Sequence, residues 1–146
     1  MILQETALEP HSLKLEITES AIMEDIDSTA TLFNRLKELG VQIDIDDFGI
    51  GYSSLNYLAH FPINSVKIDR SFISMMCRDG SQLKIVQAII NLAHGLGMGV
   101  VAEGVELENQ LIQIKNLGCE QAQGFYFSKP LDAGGARDVM SKLLPL

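Results

Sequence analysis

Along most of its length the chain repeats one rhythm: a short β-rich run that ends in acidic residues, a helical pattern, a glycine, and the next apolar run. Parallel strands cannot be joined by tight hairpins and need crossovers, so this alternation points to βα units around a parallel sheet. The pattern predicts strands over Leu13–Ile17, Val41–Ile45, Ser65–Ile68, Val100–Ala102 and Glu120–Phe125. Between and after them it predicts helices over Ser28–Leu39, Leu55–His60, Gln82–Leu96, Leu107–Leu117 and Ala136–Leu144. Gly40 and Gly118 stop two of the helices, and Pro62 ends the short one. No linker or low-complexity tract interrupts the rhythm, so residues 1–146 read as one unit: a leading segment over 1–12, then βα units and a terminal helix over 13–146.

Composition narrows the function. With 47% hydrophobic and 21% charged residues, the chain has enough apolar surface to build one core. Eleven Lys and Arg against nineteen Asp and Glu give a formal charge of −8, the wrong sign for coating a nucleic-acid polymer. Cys77 and Cys119 are isolated, without the spacing of a zinc site, which fits a reducing, cytoplasmic compartment. The amino terminus has neither the basic start nor the apolar run of a secretory signal. Ile85–Ala102 carries no formal charge, but Gly95, Gly97 and Gly99 divide it into a helix end and a strand start rather than a membrane span.

The chemistry-bearing residues stand at the predicted strand ends, where parallel βα folds build their sites. They are Glu16 and Glu19, then Asp46 and Asp47, then Lys67 and Asp69, then Glu103 and Glu106, then Gln123. Carboxylates brought together repel unless cations neutralise them. Oxygen ligands of this type suit Mg²⁺ or Mn²⁺, and two such ions suit phosphodiester hydrolysis. Taken singly, each residue has a plainer reading. Glu16 or Glu106 can be a solvated acid, Asp47-Phe48-Gly49 a tight turn, and Lys67 a snorkelling side chain. Asp-Phe-Gly does not indicate a kinase, because no glycine-rich loop and no His-Arg-Asp accompany it. His11, His60 and His94 lack metal-site pairing, and the six methionines read as core filling.

Read together, Glu16-Ile17-Thr18-Glu19-Ser20, Asp46-Asp47-Phe48-Gly49-Ile50-Gly51-Tyr52-Ser53-Ser54-Leu55, Val66-Lys67-Ile68-Asp69, Ala102-Glu103-Gly104-Val105-Glu106 and Gln123-Gly124-Phe125-Tyr126-Phe127-Ser128-Lys129-Pro130 resemble the EAL-domain family from about Leu13 onward. The resemblance implies a bacterial cyclic di-GMP phosphodiesterase on a variant (β/α)₈ barrel, hydrolysing cyclic di-GMP to linear pGpG with Mg²⁺ or Mn²⁺. It implies metal ligation by Glu16, Asp46, Asp47 and Glu103, and steadying of the loop by Glu19. Lys67 is similar to the lysine that orients or deprotonates the attacking water; Glu106 resembles a supporting acid, and Gln123 and Asp69 resemble substrate-side residues. Phe48, Gly49, Gly51, Tyr52, Ser53 and Ser54 look like the loop that mediates a homodimer, with Ile50 in place of the usual threonine. A sensor or GGDEF domain upstream in a longer parent is a common arrangement in that family.

A full (β/α)₈ barrel takes roughly 250 residues, so 146 residues supply about five units. The expected fold is therefore α/β, an incomplete TIM-like (β/α)₈ barrel made of roughly the last five βα units. The Glu-Ala-Leu signature glutamate and a strand-end asparagine, both metal ligands by the resemblance, are absent, so the two-metal site is incomplete in this chain. Two other classes remain: an inactive EAL-type cyclic di-GMP-binding or dimerisation module, and a receiver-like phosphoacceptor on an open sheet. The order of the acids argues against the second, since the acidic pair follows the second strand and the lysine the third.

Overall fold

The structure is a computed structural model, which describes residues 2–50, 58–77 and 79–143. A short helix α1 (Ile2–Thr6) and a 3₁₀ turn at Pro10–Ser12 lead into strand β1 (Lys14–Thr18). Helices α2 (Glu19–Glu24) and α3 (Ile26–Glu38) follow, then β2 (Gln42–Phe48) and β3 (Ser65–Ile68). Next come α4 (Arg70–Met76), α5 (Gly80–Gly95), β4 (Gly99–Ala102), α6 (Glu108–Asn116), β5 (Gln121–Ala122) and α7 (Ala133–Leu143). The five strands form one parallel sheet in the order β1-β2-β3-β4-β5.

The predicted alternation is present, with differences at its margins. Helices α2 and α4 fall where the sequence suggests loops; at six and seven residues they are too short to show a full amphipathic period. The fifth strand pairs only through Ala122 instead of running to Phe125. Past Gln123 the chain turns on Gly124, where the Tyr126 N–H donates to the Val105 carbonyl at 2.9 Å. A Cβ at position 124 would lie 2.2 Å from the Val105 carbonyl oxygen, so only glycine lets the two backbones approach this closely. The short helix predicted over Leu55–His60 lies mostly outside the described residues. Among the described residues no helix is long and apolar enough to cross a membrane, and Ile85–Ala102 divides between α5 and β4 as its glycines suggest.

Glycine closes the main helices by one hydrogen-bonding scheme. At the end of α5 the Gly97 N–H donates to the His94 carbonyl and the Met98 N–H to the Ala93 carbonyl, with Gly97 at φ +75°. The same pair of bonds ends α3 at Gly40 and α6 at Gly118. Each closure turns the chain directly into the next strand, which fixes which side chains that strand sends to each face of the sheet.

Strand alternation then divides the sheet in two. One face presents Ile43, Ile45, Val66, Ile68, Val100 and Ala102, all buried in a core shared with Phe33 of α3, Ile73 of α4, and Val86, Ile90 and Ala93 of α5. Fully burying one such isoleucine contributes about 2 kcal/mol. By register, the other face carries Lys14, Glu16 and Thr18 of β1, Gln42, Asp44 and Asp46 of β2, Ser65 and Lys67 of β3, and Val101 of β4.

Candidate active site

The polar face collects charge because neighbouring parallel strands place paired residues side by side. Glu16 pairs with Asp44, Asp44 with Ser65, and Lys67 with Val101. Lys67 stands near the centre of the sheet and is 4% exposed. Its Nζ lies 2.7 Å from Glu16 Oε2, 3.0 Å from Asp46 Oδ1 and 2.6 Å from Glu103 Oε1, so one ammonium ties together β1, β2 and the end of β4. Burial pushes the Lys67 amine down, but its bonds to Glu103, Glu16 and Asp46 outweigh that effect and raise it above its ordinary value.

Asp47 reaches the same cluster by breaking the strand's alternation. Ile45 pairs with Val66 and Phe48 with Ile68, so Asp46 and Asp47 together stand opposite Lys67. This is a bulge, and Asp47 occupies the left-handed region at φ +55°, which is uncommon outside glycine. A regular strand would send adjacent carboxylates to opposite faces. Here one carboxylate oxygen from each of Asp46, Asp47 and Glu103 lies within 4.8 Å of the other two. The donors are all hard oxygens from three carboxylates, a set that fits a divalent cation such as Mg²⁺ or Mn²⁺. Glu16, Asp46 and Glu103 thus contact the Lys67 ammonium, and Asp47 joins the cluster through its closeness to Asp46 and Glu103.

The surrounding loops are tied to this centre. Glu19, buried at the start of α2, accepts the Gly49 N–H at 3.3 Å and so anchors the segment that leaves β2. The Gln123 side-chain amide donates to Glu103 Oε1. Asp69 caps α4, accepting the Ser71 N–H at 2.9 Å; burial raises its carboxyl, and the hydrogen bonds from Ser71 more than reverse this, leaving it below its ordinary value. Glu106 is exposed in the loop after β4, where Gln110 Oε1 accepts the Glu106 and Leu107 N–H groups at 2.8 and 2.9 Å. Phe48 is buried in the core and Gly49 sits at φ +97°. Gly51, Tyr52, Ser53 and Ser54 lie outside the described residues.

Sequence reasoning passed over three contributors. Lys14 Nζ lies 3.0 Å from Asp44 Oδ2, forming an ion pair one layer below the Lys67 cluster. Asp44 is 1% exposed, and its Oδ1, like the buried Ser65 Oγ, has no hydrogen-bond partner among the described residues. Buried Gln110 holds the Glu103–Glu106 loop from below. The signal for Lys14 and Asp44 was parity: each lies two residues before a singled-out acid and therefore shares its face.

A family profile described as "EAL domain" matches residues 1–130. Cyclic di-GMP phosphodiesterase NbdA of Pseudomonas aeruginosa is 48% identical over 138 residues, which cover 94% of this chain and 18% of NbdA. The solved PaMucR phosphodiesterase in complex with c-di-GMP superposes with a TM-score of 0.88 at 44% identity, over 92% of this chain and 54% of that one. A manganese and cyclic di-GMP complex of Klebsiella pneumoniae BlrP1 superposes at 0.81 with 32% identity, over 88% of this chain and 33% of that one. The chain thus spans less than two thirds of these relatives, and its five-stranded α/β sheet matches part of their TIM-like barrel. On the profile match and these identities, the chain belongs to the EAL-domain family.

Proposed function

We propose that this chain carries the carboxylate-rich part of a metal-dependent cyclic di-GMP phosphodiesterase site. The observation that supports it best is the convergence of Glu16, Asp46 and Glu103 on Lys67, with an Asp47 oxygen close to those of Asp46 and Glu103. Asp46, Asp47 and Glu103, with Glu16 beside them, would hold Mg²⁺ or Mn²⁺. When bound, the metal supplies Lewis-acid stabilisation of the phosphate and of the departing oxygen.

The protein's own groups position the reactants. Lys67, held among these carboxylates, orients the attacking water by donating to its oxygen an N–H released from one of them. The water oxygen bonds to phosphorus as the bond to the ribose 3′ oxygen breaks; one water proton ends on the 3′ oxygen, the other is released from the new phosphate to solvent, and linear pGpG results. Gln123 and Asp69 face the substrate, Glu19 holds the loop through Gly49, and Glu106 supports the loop after β4. The segment beginning at Phe48 would join two copies in a homodimer; exposed Ile50 beside Gly49 is the described part of that surface. Two free cysteines suit a cytoplasmic location, and the short span relative to NbdA leaves room for sensor or GGDEF domains in a parent protein.

The test is conversion of cyclic di-GMP to pGpG by the purified chain with Mn²⁺ or Mg²⁺. Metal-dependent conversion that a Glu16→Ala variant abolishes is the supporting result, and it would mean that a second copy or other residues supply the ligands absent from this chain. Retained cyclic di-GMP binding without conversion would assign the chain to the binding modules of the family instead.

A further inference from the structure

Three carboxylates, on β1, on β2 and just past the end of β4, contact one ammonium, and two of the three are also members of the group whose oxygens stand close enough to share a cation. Lys67 touches Glu16, Asp46 and Glu103; the close-set oxygens belong to Asp46, Asp47 and Glu103. Lys67 arrives from β3, between β2 and β4, and its stem is buried, so the ammonium cannot swing far from the cluster. A divalent ion on Asp46 and Glu103 would therefore lie a few ångströms from a fixed positive charge.

We infer that Lys67 is the resident counter-ion of this cluster and competes with the divalent cation for Asp46 and Glu103, holding the metal-free site together at the expense of metal affinity. This rests on the metal-site reading above and adds a sign to it. Repulsion between the ammonium and the ion weakens binding, while the ammonium relieves repulsion among the acids when no metal is bound. A lysine that only orients water predicts neither effect.

Mn²⁺ titration by calorimetry, with melting curves in chelator and in Mn²⁺, tests this on the 146-residue chain and its Lys67→Met, Lys67→Gln and Lys67→Arg variants. Removing the charge should tighten Mn²⁺ binding about tenfold, lower the metal-free melting temperature and enlarge the rise that Mn²⁺ produces. Lys67→Arg keeps the charge and should bind Mn²⁺ like the parent. A neutral variant unfolded in chelator but rescued by Mn²⁺ supports the inference; one unfolded under both conditions overturns it. Equal or weaker binding in folded neutral variants overturns the competition alone. Absence of Mn²⁺ binding by the parent and every variant overturns the metal-site reading itself.

Discussion

The two faces of the sheet are built from the same strands, and they behave as two different molecules. On one, Ile43, Ile45, Val66, Ile68, Val100 and Ala102 are buried beneath α3, α4 and α5. On the other, Lys14 pairs with Asp44, and Glu16, Asp46 and Glu103 surround Lys67. Alternate positions of each strand thus build two different surfaces, one the apolar core and the other a face of paired charges. The bulge at Asp46-Asp47 is the place where that separation is broken, bringing two adjacent acids to one side. Close packing on the apolar face holds the strands in register, and on the opposite face the Lys67 ammonium links the acids that this register brings together.

The turn after β5, where Gly124 lies against Val105 of the loop that follows β4, is the most sensitive point. Gly124→Ala would place a methyl 2.2 Å from the Val105 carbonyl oxygen and should cost about 3 kcal/mol or more, read by urea denaturation. On the apolar face alone, Ile68→Ala should lose about 3 kcal/mol while the folded protein keeps its Mn²⁺ affinity. A large change in affinity there would show that the faces are not separable. On the polar face, Lys14→Met leaves the buried Asp44 carboxylate uncompensated and should cost about 2 kcal/mol. Adding Asp44→Leu should recover most of that loss, since an apolar pair of similar volume removes the buried charge.

The smallest effect lies at the helix starts, away from both faces. Asp25 is held below the ordinary carboxylate value by the Ser28 hydroxyl and then by the Ser28 N–H, and Asp79 by the Ser81 N–H and then by the Ser81 hydroxyl. A lowered folded-state value means the unfolded chain takes up these protons first as pH falls. Their contribution is complete above about pH 5 and is lost as pH drops through 4 and below. A double Asp25→Asn, Asp79→Asn variant keeps caps that do not titrate. Its melting temperature should match the parent at pH 7 and decline less steeply in acid.

The order of strands and main helices was legible because Gly40 and Gly118 follow helical periods and precede apolar runs; β3 lies over Ser65–Ile68 as the pattern indicates. Helices α2 and α4 escaped, having too few turns for a period to emerge. Aspartate at a strand end carries two meanings that sequence cannot separate. Asp69 caps α4, whereas Asp46, two residues from the end of β2, contacts Lys67. The bulge was not visible either, because Asp47 adopts φ +55° only through the register between β2 and β3. Lys14 and Asp44 were within reach by counting two residues back from Glu16 and Asp46, yet their pairing depends on which strands are neighbours.

The most direct test of the central claim, that the polar face ends in a cation site, is anomalous diffraction from crystals of this chain soaked in Mn²⁺. A manganese peak bounded by the carboxylates of Asp46, Asp47 and Glu103, and lost in Asp46→Asn crystals, is the predicted result. A map with no peak at these three residues, or with manganese bound only elsewhere on the acidic surface, would contradict it.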